Sequence, residues 1–108
     1  MRPPGAARHE RLARVMKALS DPLRIAIVEK LSEGELCVCD IHTAVGAERS
    51  NVSRHLAVLA NAGILTSRKQ GLMVFYRLQT PCVLQVFDCI EGSLDEILQN
   101  PRTSLRLL

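Results

Sequence analysis

Apolar residues recur at helical spacing from about Arg8 to Leu19, at Leu12, Val15, Met16 and Leu19, with Arg, Lys and Glu between them. Ser20-Asp21-Pro22 then ends one helix and opens the next, with Asp21 as N-cap and Pro22 at the first helical position. Leu23, Ile27, Val28 and Leu31 line one face of that second helix, which Gly34 closes. A short helix is predicted from Leu36 to about Val45, stopped by Gly46, and a longer one from about Ser50 to Ala62 with Val52, Leu56 and Leu59 inward. Asn61-Ala62-Gly63 is a helix C-terminal signal, with Gly63 as the left-handed cap.

The period then changes. Ile64 to Lys69 and Met73 to Leu78 read as two short strands around Gln70-Gly71, a β-hairpin. Pro81 opens a last helix, about Cys82 to Gln99, with Val83, Val86, Phe87, Ile90, Leu94, Ile97 and Leu98 apolar. That face is too wide for a solitary surface helix and calls for a partner subunit. Two short helices joined by a Gly-containing turn form a helix-turn-helix, and a hairpin directly after the second is a wing. The fold class expected is therefore mainly α with a small β-hairpin: a winged helix-turn-helix dimerising through its terminal helices. Residues 1–7 read as a flexible arm, 8–100 as the domain and 101–108 as a flexible tail.

Composition supports this layout. At 108 residues with 47% apolar content the chain forms one small domain, and three aromatics without Trp leave a largely aliphatic core. Charge is segregated. Residues 31–47 hold three acids and no base, 48–77 hold five Lys/Arg against Glu48 alone, and 78–100 hold four acids and no base. A basic central block points to a polyanion-binding face. No stretch approaches the roughly 18 apolar residues of a membrane span, and there is no signal-peptide h-region; the expected location is the cytoplasm. Four cysteines there read as metal or redox chemistry before disulfides. Neither a phosphate-cradling glycine loop nor a nucleophile elbow nor a convincing acid–base pair is present, so an enzyme is not expected, nor an organic cofactor.

Two constellations carry candidate chemistry. The first is Cys37-Val38-Cys39-Asp40-Ile41-His42. Thiolates select soft, thiophilic ions. Were Leu36 to Val45 all helical, Cys37 and Cys39 would point to different sides while Cys39 and His42 shared a face. Holding one ion with Cys37, Cys39 and His42 would then require the first turn to open, which is itself a switching mechanism. The second is the start of the longer helix, where Ser50, Asn51, Ser53, Arg54 and His55 would meet base edges, with Arg49 reaching bases or phosphates from the turn. Arg68, Lys69 and Arg77 on the hairpin are assigned to phosphate or minor-groove contact; His55 has an internal hydrogen bond as its alternative. Cys82 and Cys89, seven apart, share a helix face and are read as packing residues. His9 is a further ligand candidate, reaching the thiols from a partner's arm.

Residues 8–99 resemble the ArsR/SmtB family of metalloregulatory winged-helix repressors. The resemblance rests on Ala18-Leu19-Ser20-Asp21-Pro22-Leu23-Arg24, Glu35-Leu36-Cys37-Val38-Cys39-Asp40, and Val52-Ser53-Arg54-His55-Leu56 leading to Ala62-Gly63-Ile64-Leu65. The middle stretch is similar to the arsenic-sensing branch, in which the Cys-Val-Cys-Asp run binds trivalent arsenic or antimony. The branch continues to a third cysteine; here that position is His42. The zinc site of the other branch needs a His on the last helix, and this chain has none there. The resemblance implies a homodimer on a pseudo-palindromic double-stranded DNA operator, released by arsenite or antimonite. Zinc or cadmium, which His42 would suit, and a thiol redox or persulfide signal are the alternative inducers. A protein-interaction winged helix that never touches DNA is the alternative of another class.

Overall fold

The computed structural model describes residues 3–99; the tail expected at 101–108 and the first two residues of the arm lie outside the described residues. Five helices and a three-stranded sheet follow in the order α1 (Ala6–Ala18), α2 (Pro22–Leu31), β1 (Leu36–Cys37), α3 (Val38–Val45), α4 (Arg49–Asn61), β2 (Leu65–Gln70), β3 (Met73–Leu78) and α5 (Cys82–Gln99). The mainly α winged helix-turn-helix is thus what the chain forms. Helix α1 begins at Ala6, where Gly5 turns the chain with φ 80°, two residues before the apolar period starts.

Helix α2 begins as the Asp-Pro pair requires. Asp21 is extended and accepts from the Leu23 and Arg24 backbone N–H groups at 2.9 and 3.3 Å, with Pro22 in the first turn. Desolvation pushes the Asp21 carboxyl up, but these two amides and the nearby His55 and Arg24 outweigh it and hold the pKa below its usual range.

Ile27 and Val28 of α2, Ile41 of α3, Val52, Leu56 and Leu59 of α4, and Ile64 just before β2 are fully buried and form one cluster. Burying each such side chain contributes about 1.5–3 kcal/mol relative to leaving it in water. One cluster therefore fixes α2, α3 and α4 against each other. Gly46 joins α3 to α4 in a left-handed conformation, φ 70° and ψ 32°, which lets the chain turn within three residues.

The sheet carries the principal departure from expectation. The predicted helix from Leu36 splits: Leu36 and Cys37 form β1, antiparallel to β3 in the register Leu36 to Tyr76 and Cys37 to Phe75, and α3 starts only at Val38. The strand order β1-β3-β2 puts β3 at the centre, with Arg68 opposite Phe75 on the other side. The wing is thus a three-stranded sheet bonded to the segment that leads into α3.

Helix α5 buries Val83 but leaves Val86, Ile90, Leu94 and Leu98 exposed at 43%, 53%, 48% and 68%. Its first turns, together with Met16 of α1 and Ile25 of α2, enclose an apolar groove of about 430 Å³. No helix among the described residues is long and apolar enough to cross a membrane.

Candidate metal centre and nucleic-acid interface

The β1–α3 junction assembles the thiol pair. Cys37 is extended (φ −81°, ψ 163°) and stands at the N-cap of α3, so Cys39 and Asp40 are the second and third helical residues. An N-cap side chain folds back over the first turn, towards these two positions. Accordingly the Cys37 and Cys39 Sγ atoms lie 2.6 Å apart, and the Cys37 thiol donates to Asp40 Oδ2 at 3.2 Å. This corrects the expectation that Cys37 and Cys39 point to different sides of one helix. That expectation placed Cys37 inside the helix; its pairing with Phe75 keeps it outside, and the sulfurs already converge.

Cys37 is 2% exposed, while Cys39 is half-buried and reachable from solvent. The Cys37 thiol is held above its usual pKa, first by the proton it shares with Cys39, then by burial and the Asp40 carboxylate; the Asp40 backbone N–H works in the opposite direction. It is therefore a protonated thiol at neutral pH, and any ion it takes must displace that proton. Two thiolates on a tetrahedral ion with bonds near 2.3 Å sit about 3.8 Å apart, so a modest rotation of the half-buried Cys39 side chain would make this a two-sulfur chelate. The donor set fits a soft, thiophilic ion.

His42 does not join this pair. It lies half-buried on α3, where its carbonyl accepts from Ala47 in the turn, and among the described residues no group of three His, Cys, Asp or Glu side chains is gathered to hold a metal. Cys82 and Cys89 are exposed free thiols on α5 of the single chain. His9 lies on the first turns of α1, exposed.

Across the helix-turn-helix, α4 presents Arg49, Ser50, Ser53 and Arg54 exposed and Asn51 half-buried, while Val52, Leu56 and Leu59 are buried. Arg54 Nη2 donates to Asn51 Oδ1 at 2.9 Å, so the two side chains are presented together. His55 turns inward: Arg24 donates from Nη1 to His55 Nδ1 at 3.1 Å and from Nε to the Ala18 carbonyl at 2.6 Å. Arg24 thereby links the end of α1 and the start of α2 to the middle of α4. Its place in the Ser-Asp-Pro-Leu-Arg stretch was visible in the sequence, but no role followed from it.

On the wing, Lys69 and Arg77 are exposed, and Arg77 Nη2 lies 3.5 Å from Gln79 Oε1. Arg68 is engaged within the protein. It grips the Glu35 carboxylate through Nε (2.9 and 3.0 Å) and Nη2 (2.6 Å), donates from Nη1 to Gln70 Oε1 at 2.7 Å, and stacks 4.7 Å over the Phe75 ring. The Arg68 hydrogen bond holds the Glu35 carboxyl below its usual range despite partial desolvation, and Glu35 raises Arg68 in return. Sequence reading gave Glu35 no role of its own; its one signal is its position just before β1, two residues ahead of Cys37.

Comparisons with known proteins meet this geometry. The profile of the bacterial regulatory proteins of the arsR family matches residues 21–67, from the α2 cap into the wing. The chain is 52% identical over 65 residues to an arsenical resistance operon repressor of Escherichia coli, covering 59% of this chain and 56% of that protein, so it spans little more than half that relative's length. It is 34% identical over 89 residues to the arsenical resistance operon repressor of Staphylococcus xylosus, covering 82% of each. A homodimeric winged helix-turn-helix DNA-binding domain of Mycobacterium bovis superposes with a TM-score of 0.77 at 31% identity, over 92% of both chains. With its fold, its helix-turn-helix and its Cys-x-Cys junction all in place, the chain belongs to the arsR family of bacterial regulatory proteins.

Proposed function

We propose that this chain is a DNA-binding transcriptional repressor, acting as a homodimer, that leaves its operator when trivalent arsenic or antimony is held by Cys37 and Cys39. The observation that carries this reading is the convergence of the two sulfurs at the N-cap of α3, the helix that a three-residue turn joins to the one presenting Asn51 and Arg54. The arsenical resistance roles printed for the E. coli and S. xylosus relatives support the inducer class.

In this reading Arg49, Ser50, Asn51, Ser53 and Arg54 meet the major groove, and Lys69 and Arg77 meet phosphates. Arg68 stiffens the wing and His55 anchors α4 through Arg24. The exposed apolar faces of α1 and α5 close against a second copy, as the homodimeric M. bovis domain makes plausible; a two-fold dimer reads a pseudo-palindrome. An ion whose binding also displaces Cys37 moves that residue in both β1 and the α3 cap, so that α3 and the wing shift relative to the DNA together. His42 can complete the ligand set only after such a movement; a solvent or exogenous thiol ligand needs none.

The test is titration of the complex between reduced protein and a duplex selected by the protein from random sequence. Arsenite is expected to release the duplex, and Cys37→Ser and Cys39→Ser to bind DNA without responding. Full retention of DNA binding under excess arsenite, with the thiols shown to be reduced, would sink the inducer assignment. The close sulfur pair, one member solvent-reachable, favours one second reading, a thiol redox or persulfide switch. Release by polysulfide or peroxide, reversed by reductant and indifferent to arsenite, would select it.

A further inference from the structure

Beside α4, away from both the wing and the thiols, lies a groove of about 370 Å³ whose walls include Arg14 and Lys17 of α1, Arg24 of α2, and Val58 and Asn61 of α4. Its walls hold three cations and no acid. The donors of Arg24 are directed at Ala18 and His55, whereas Arg14 and Lys17 are exposed. Val58 and Asn61 are themselves exposed, on the same side of α4 as Ser50, Ser53 and Arg54. The groove therefore opens along the flank of the face assigned to DNA. The thirteen-residue α4 is about 20 Å long, longer than the roughly 12 Å width of the major groove. With its first turn at the bases, its last turn stands beyond the groove edge, where the sugar–phosphate backbone runs.

We propose that Arg14 and Lys17, with Asn61 beside them, form a phosphate clamp that holds operator backbone outside the helix-turn-helix and wing contacts. Such a clamp adds affinity and fixes register without reading sequence. It rests on the DNA-binding reading above but not on the identity of the inducer. It extends the footprint of each subunit to α1, so the end of the helix assigned to the dimer interface also touches the ligand.

The experiment measures binding of the full chain to its selected duplex across a KCl series, for wild type, Arg14→Gln/Lys17→Gln, the charge-keeping Arg14→Lys/Lys17→Arg, and Arg8→Gln as a cation lost elsewhere on α1. Each phosphate contact removed flattens the slope of log K against log salt by about 0.9, so close to 2 per subunit is expected for the double Gln variant. The preference for the selected over a scrambled duplex should stay unchanged. Charge-keeping replacement should preserve the slope, and Arg8→Gln should leave it unmoved. An unchanged slope in a folded double Gln variant, or equal flattening by Arg8→Gln, overturns the clamp while leaving DNA binding intact. A wild type with no salt-dependent duplex binding overturns both.

Discussion

Ile41 tests how firmly the thiol junction is tied to helix α4. It is fully buried and is the one side chain of α3 that is, set among Ile27, Val28, Val52 and Leu56 in the common cluster. Ile41→Ala removes three carbon groups from that cluster. At about 0.8 kcal/mol per buried group the transfer loss is about 2.4 kcal/mol. The cavity left behind brings Ile→Ala changes to about 2–5 kcal/mol, whereas Ile→Val costs about 0.5–1.5. Helices α2 and α4 share the cavity wall and cannot both collapse into it, so we expect about 3–4 kcal/mol for Ala and about 1 for Val. That is a large share of the roughly 5–15 kcal/mol typical of a domain. The assay is equilibrium urea unfolding at one fixed protein concentration, with the m-value monitored, because association adds to the apparent stability of a dimer. A loss under about 1 kcal/mol for Ile41→Ala at unchanged m would refute the reasoning: α3 would then not be locked to α4, and no displacement of Cys37 could be passed on through the core.

Two further outcomes follow from the same geometry. Gly46→Ala meets no atom within 4 Å of its new Cβ, so its cost is conformational, about 1–2 kcal/mol for an L-residue in the left-handed region, reduced slightly by a stiffer unfolded chain; thermal unfolding and duplex affinity should both fall, and an unchanged melting temperature would contradict the assigned turn. Glu35 has its pKa depressed from an ordinary 4.5 by Arg68, so its contribution is complete above the unfolded value and disappears as pH falls through the lower folded value. The melting-temperature gap between wild type and Glu35→Gln should therefore be present near pH 6 and close as the pH falls below 4.5 and through the lower folded value, and shrink with added salt because the pair is exposed; a gap constant across that range would show that the ion pair is not its source.

Much of the architecture was legible because it is periodic or punctuated. Asp21-Pro22, Gly46 and Gly63 mark helix ends by local chemistry that needs no partner, and Val52, Leu56 and Leu59 declare a buried face by spacing alone. What stayed hidden is non-local. A two-residue strand leaves no alternation to detect, so β1 was absorbed into the following helix, and with it went the true position of Cys37. The Arg68–Glu35 pair joins residues 33 positions apart, and only the sheet register could bring them together. Arg68 was assigned to phosphate by its charge; its partners are a carboxylate and an aromatic ring. The same limit hid the Arg24–His55 contact, for which the sequence offered two polar residues in separate helices and no reason to join them.

Strand β1 also bears on solubility. It covers β3 only at Phe75 and Tyr76, while the long open edge of the sheet runs along β2, where Arg68 and Lys69 put charge. A signal that draws Cys37 away from Phe75 would uncover the backbone groups of β3, the one strand otherwise bonded on both sides. The chain would then carry a longer exposed strand edge and a greater tendency to self-associate. Strand β1 spans only Leu36 and Cys37, so a small movement of that segment is enough to change how much of the β3 edge is covered.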